Sequence, residues 1–176
     1  MASASASTPR SRDDRAIVDL IVQHGGTEQA ARAAVALAGE LLARMAHEPD
    51  PDRQREHGGV VDAVTGERIG PISVGTRGSV SFAEQIRATR ERGTASVIGV
   101  HTHPGSSSFS PADAGLFERD AIVAVMAAVG PDGSWYVLSP EPGTTPPPKD
   151  EIEERFETVL DHVAPTYRAL IDDGTL

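Results

Sequence analysis

Cysteine is absent from this chain of 176 residues, and that absence removes disulfides, thiol nucleophiles and thiolate metal sites together. Any metal site must therefore be built from histidine and carboxylate. A zinc deaminase, which needs a Cys-x-x-Cys pair, is excluded on the same ground. Aromatic residues make up only 4% of the chain, so a core must rely on Val, Ile, Leu and Ala. Positive charge is also short. The net charge of −10 argues against a nucleic-acid partner, because phosphate binding needs clustered Lys and Arg. Lys149 is the sole lysine, the other basic residues being arginine. No apolar run approaches the length of a membrane span, and residues 1–15 lack the apolar centre of a secretory signal. These absences predict a soluble, cytoplasmic protein with no membrane partner.

What is present reads as one compact domain with appended segments. Residues 1–12 are small and polar and predict a disordered tail. An N-terminal helical segment is expected over 13–50. Its first helix carries Ile17, Leu20 and Ile21 and stops at Gly25-Gly26. Its second starts from Thr27 as N-cap, runs to about His47, and carries Ala30, Ala34, Leu37, Leu41 and Met45 as one apolar stripe. Pro49-Asp50-Pro51-Asp52 breaks the pattern.

A core domain over 51–140 then has strand texture at Val60, Val61 and Val64, a turn at Thr65-Gly66, and a second strand through Ile69, Ile72 and Val74. A short strand is expected at 79–82 and a helix from Ala83 to Arg92, closed by Gly93. The strongest strand runs from Ser96 to His103. A short helix should follow Ser110, and two strands should flank Gly130-Pro131-Asp132-Gly133. Residues 141–148 form a Pro-rich linker. Residues 149–176 predict an amphipathic helix packed on the core, with Ile152, Phe156, Val159, Leu160, Val163 and Tyr167 inward and a bend at Pro165. Interleaved strands and helices give the fold class: α/β, a mixed β-sheet packed against helices.

Chemistry concentrates in one segment, His101-Thr102-His103-Pro104, followed by Ser110-Pro111-Ala112-Asp113. On a strand, residues i and i+2 face the same side, so His101 and His103 present two imidazoles together. Pro104 ends the strand, while Ile98, Val100 and Thr102 occupy the alternate positions that burial can anchor. Ser110 with Pro111 and Asp113 also reads as a helix start, with a Ser N-cap, Pro at N1 and an acid at N3. Such a start would fix Asp113 rigidly.

Two histidines and one aspartate leave a tetrahedral zinc one position short, the arrangement of a catalytic site with bound water. Hydrolysis then needs a proton carrier, a role that suits glutamate. Ser110 could donate to the developing oxyanion. His-Glu-x-x-His is absent, which excludes a zincin.

His101-Thr102-His103-Pro104 with Ser110-x-x-Asp113 resembles the signature of the JAMM (JAB/MPN-plus) zinc metalloproteases, compact prokaryotic type. The resemblance covers residues 56–139. The loop between His103 and Asp113 is one residue shorter than the family's common spacing. The likeness implies an MPN/cytidine-deaminase-like sandwich and a Zn2+ cofactor held by His101, His103 and Asp113. It also implies hydrolysis of an amide or isopeptide bond at the C-terminal tail of a ubiquitin-like protein. By analogy with the family's Glu-x-x-Gly opening, Glu56 with Gly59 marks the catalytic glutamate, ahead of Glu67 and Glu84. Two other functions remain open: a non-catalytic MPN-type scaffold, and a hydrolase of the same site acting on a small amide or in a toxin- or phage-related system. His57 reads as a surface histidine, and His24, His47 and His162 as parts of helix patterns.

Overall fold

The computed structural model describes residues 13–110, 113 and 121–139. The expected N-terminal tail, the body of the helix after Ser110, the Pro-rich linker and the C-terminal helix lie outside the described residues. Two helices open the chain, α1 (Asp13–Gln23) and α2 (Glu28–Met45). Gly25, at φ +109°, adopts the left-handed backbone that lets the chain reverse between them. Thr27 caps α2 as its residue type predicts, accepting a hydrogen bond from Ala30 N–H at 3.1 Å. The same hydroxyl donates to the Val64 carbonyl at 2.7 Å, so one threonine starts the helix and ties it to the sheet.

The sheet is built from β1 (His57–Asp62), β2 (Arg68–Val74), β3 (Val97–Thr102), β4 (Val123–Val129) and β5 (Trp135–Leu138), with α3 (Ala83–Arg92) between β2 and β3. Their spatial order is β2-β1-β3-β4-β5. β3 and β4 pair in parallel, and the other three pairs are antiparallel. The described residues therefore form an α/β fold around a five-stranded mixed sheet. β3 is the middle strand and is buried along its whole length, as a strand covered on both faces must be.

Alternation along β3 divides the core in two. Ile98 and Val100 pack with Leu37, Leu41, Val61, Val125 and Ala127 under α1 and α2. Val97 packs with Val60, Ile69, Phe82, Ile86 and Met126 on the α3 side. Leu41 and Ile98 are fully buried, and the Val/Ile/Leu/Ala core matches the composition.

One expected strand is corrected. Residues 79–82 are not a strand. Thr76 N–H bonds the Ser79 carbonyl at 2.8 Å, closing a turn, and Phe82 already stands at the N-cap of α3. The apolar alternation of Val80 and Phe82 has another cause. Both lean on Gly58, where an added Cβ would lie 3.0 Å from Phe82 Cζ and 3.1 Å from Val80 Cγ1. Val64 and Val74, expected on strands, are among the exposed large hydrophobics, at the β1–β2 turn and the end of edge strand β2. Among the described residues, no helix is long and apolar enough to cross a membrane.

Candidate metal centre

β3 carries His101, and His103 follows directly beyond its last residue. His103 N–H bonds the Val129 carbonyl at 3.0 Å, which extends the β3–β4 pairing far enough to hold that residue in line. Both imidazoles face the α3 side. Their Nε2 atoms stand 2.8 Å apart, and His101 is completely buried. Phe82 and Phe109 flank His101 with ring centroids at 6.0 and 5.9 Å, an apolar wall that keeps bulk water off the ring.

β1 brings the glutamate. Gly58 pairs with His101 across the β1–β3 ladder, and two residues further along the same register Glu56 falls opposite His103. Its backbone is gripped by the chain beyond β2: Glu56 N–H bonds the Thr76 carbonyl at 2.7 Å, and Gly75 N–H bonds the Glu56 carbonyl at 2.8 Å. Glu56 Oε1 lies 4.0 Å from His103 Nε2, and Glu56 Oε2 is buried without a hydrogen-bond partner among the described residues.

Asp113 closes the group. Its Oδ1 is 3.2 Å from His101 Nε2 and its Oδ2 is 3.6 Å from His103 Nε2. Ser110 holds it reciprocally. Ser110 N–H and hydroxyl donate to Asp113 Oδ2 at 2.7 and 2.6 Å, and Asp113 N–H reaches back to Ser110 Oγ at 3.3 Å, the exchange of a capping box. The Ser110 hydroxyl is thus spent on Asp113 in this structure.

These donors suit a cation. Glu56, His101 and His103 each offer a ligand atom within 4.8 Å of the others, all three side chains buried. Asp113 stands nearer to both rings than Glu56 does. Ligands at 2.0–2.1 Å from a tetrahedral zinc lie ~3.3 Å from one another, and the contacts of 2.8, 3.2 and 3.6 Å straddle that value.

The tautomers agree. His103 Nδ1 is 2.7 Å from the Ser107 carbonyl, which can only accept, so Nδ1 carries the proton and Nε2 presents its lone pair. One shared proton can satisfy both Nε2 atoms, with His101 donating to His103, and His101 Nδ1 is buried with no hydrogen-bond partner among the described residues in either case. A cation between the rings would accept both lone pairs.

Electrostatics follow the same geometry. Burial alone would raise Asp113, but hydrogen bonds with His101, His103 and Ser110 win and hold its carboxyl well below the usual carboxylate range. Burial lifts Glu56 to about 7 against the pull of His103, with the Asp113 charge adding to the rise. His103 is raised: burial opposes its charge, but the bonds to Asp113 and the Ser107 carbonyl and the Glu56 charge prevail. An anionic Asp113 beside a Glu56 that binds a proton readily is a division of labour between two carboxylates.

The structure brings Glu56, His101, His103, Ser110 and Asp113 to one place. It keeps His57 apart, half-exposed, with Nδ1 on the Arg55 carbonyl at 3.0 Å. His24 pairs with Ser139 instead. Sequence reasoning missed Phe82 and Phe109 as the wall around His101, and the Ser107 carbonyl as the partner of His103. Phe109 could have been suspected from its place within the motif, whereas Phe82 reaches the site only through the packing of α3. A backbone acceptor leaves no signal in residue types.

The chain matches no family model, no curated protein and no solved structure. The resemblance to the JAMM proteases therefore rests on the motif residues of the sequence alone.

Proposed function

We propose that the chain is a zinc-dependent hydrolase of the JAMM type, with the MPN-like sandwich as its fold. It would cleave an amide or isopeptide bond at the C-terminal tail of a ubiquitin-like protein, in the cytoplasm. The observation that carries this reading is the convergence of Asp113 on both Nε2 atoms with Glu56 beside them, one Glu56 oxygen buried and without a partner among the described residues.

His101, His103 and Asp113 would hold the ion. Zinc bound there would supply a Lewis acid for the scissile carbonyl and for the activation of water at neutral pH. Glu56 would take a proton from the water as the water oxygen bonds to the carbonyl carbon, and hand that proton to the amine as the C–N bond breaks. Its burial suits it to both acts. Phe82 and Phe109 exclude solvent around His101, which strengthens every charge interaction in the site. Ser110 orients Asp113 through two hydrogen bonds. Its hydroxyl, 2.6 Å from Asp113 Oδ2, would serve a developing oxyanion only on leaving that carboxylate.

The test uses zinc-loaded protein with ubiquitin-like substrates that release a fluorophore from a C-terminal amide. Wild type should release it, and Glu56→Gln should keep its zinc while turnover falls by roughly 100-fold or more. Full turnover in Glu56→Gln would move the proton-carrying role elsewhere. Zinc binding without release from any protein-tail substrate, but with release from small amides, would favour the small-amide hydrolase; no release from either would favour the scaffold.

A further inference from the structure

The histidine that the Ser107 carbonyl orients depends on a loop, and that loop is held from outside the site. His103-Pro104-Gly105-Ser106 forms a turn, with Ser106 N–H on the His103 carbonyl at 3.0 Å. Ser106 sits at φ +52°, the one non-glycine among the described residues with a positive φ. A non-glycine residue is held in that region when its surroundings determine it. Here the surroundings are the β4–β5 turn.

Tyr136 on β5 donates its hydroxyl to the Ser106 carbonyl at 3.2 Å. On the other side, Ser106 Oγ and Asp132 Oδ1 crowd the bare Cα of Gly130. A Cβ there would lie 2.6 Å from Ser106 Oγ and 2.7 Å from Asp132 Oδ1, so any larger residue would have to push these side chains aside. Contacts from Ser134 and then from the Ser106 side chain hold the Asp132 carboxyl below its ordinary range. The turn itself is closed by Gly130 N–H on the Ser134 carbonyl and Gly133 N–H on the Gly130 carbonyl.

We infer that the β4–β5 turn positions His103: Tyr136 and the Gly130–Asp132 cradle clamp Ser106, and this places the Ser107 carbonyl where it fixes the His103 ring. Tyr136 and Ser106 touch none of the proposed ligands' metal-facing atoms, so they are positioning residues acting through the Ser107 backbone. The inference rests on the metal-centre reading for its effect on zinc, but not for its effect on the ring. Removing such an outer partner of a ligating histidine costs ~10–100-fold in metal affinity.

The experiment compares wild type, Tyr136→Phe and Ser106→Ala in two ways. Zinc affinity is measured by competition with a chromogenic chelator, alongside the melting temperature of the metal-free proteins. The His103 tautomer is read by nitrogen-15 NMR on metal-free protein at alkaline pH. Both variants should bind zinc roughly tenfold more weakly, with metal-free melting unchanged. His103 should pass from a proton fixed on Nδ1 in wild type to a mixture of tautomers. Unchanged affinity in both variants, or a tautomer identical to wild type, overturns the inference. So does a loss of affinity that merely parallels a loss of metal-free stability. If wild type itself takes up no zinc, the metal reading fails, and the tautomer comparison alone decides whether the turn positions His103.

Discussion

Asp113 divides its two oxygens. Oδ2 accepts the Ser110 N–H and hydroxyl, while Oδ1 faces His101 Nε2 at 3.2 Å. The serine therefore acts first on the geometry of the aspartate. Ser110→Ala removes one of two charge-assisted hydrogen bonds and should weaken zinc binding about tenfold, measured by chelator competition. Unaltered affinity with turnover reduced ~100-fold would instead assign Ser110 to the oxyanion.

At this scale His101, His103, Ser110 and Asp113 were legible in the sequence, because strand alternation and a capping pattern each tie side-chain direction to residue spacing. Glu56 was not legible from spacing. It is distant along the chain and reaches His103 only through the register of β1 on β3, so the resemblance to a family was needed to single it out. The Ser107 carbonyl had no trace at all, since every residue type carries that acceptor.

The elements differ in how their sequence declares them. α2 was readable end to end, from the Thr27 cap to the stripe that includes Leu37 and Leu41, and the stripe faces the sheet. Leu41 is fully buried, so Leu41→Ala should cost ~3–5 kcal/mol through lost transfer energy and a residual cavity, measured by denaturant unfolding. A cost under ~1 kcal/mol would mean that α2 does not support the sheet that carries the histidines.

The β1–β2 turn depends on Asp62, whose Oδ1 accepts the Val64 and Thr65 N–H groups, each at 2.8 Å. The Thr65 amide is the first cause of a lowered Asp62 pKa, resisted by modest burial and aided by the Val64 amide. A depressed folded-state pKa contributes stability above the unfolded value near 3.8 and loses it as pH falls through the lower folded value. Asp62→Ala should therefore destabilise by ~1 kcal/mol at neutral pH, and the difference should shrink as the pH drops below 3.8. A difference independent of pH would show that the charge is not what holds the turn. The segment 79–82 was misread for a reason of this scale. Val80 and Phe82 alternate like strand residues, yet what they fill is the space left by Gly58.

Across the whole molecule, the catalytic reading depends on topology more than on any single strand. The parallel β3–β4 pair sends both carboxyl ends to one edge of the sheet, the usual place for a site in such folds. The antiparallel β1 delivers its first residues to the same edge. The α/β class followed from interleaved patterns in the sequence, but this strand order did not, because pairing partners are set by packing between distant segments. Two helices on one face and one on the other leave the histidines on the thinner side, where Phe82, Phe109 and the Ser110–Asp113 pair can close over them.

The most direct test of this account is metal content, measured by mass spectrometry on purified wild type and on Asp113→Ala after zinc loading and removal of excess ion. Close to one zinc per wild-type chain is expected, with loss of that zinc in the variant. Glu56, 4.0 Å from His103 Nε2, stands further from the rings than Asp113, and two imidazoles without Asp113 hold the ion poorly. Wild-type protein that neither retains zinc on purification without chelator nor takes it up when supplied would contradict that expectation.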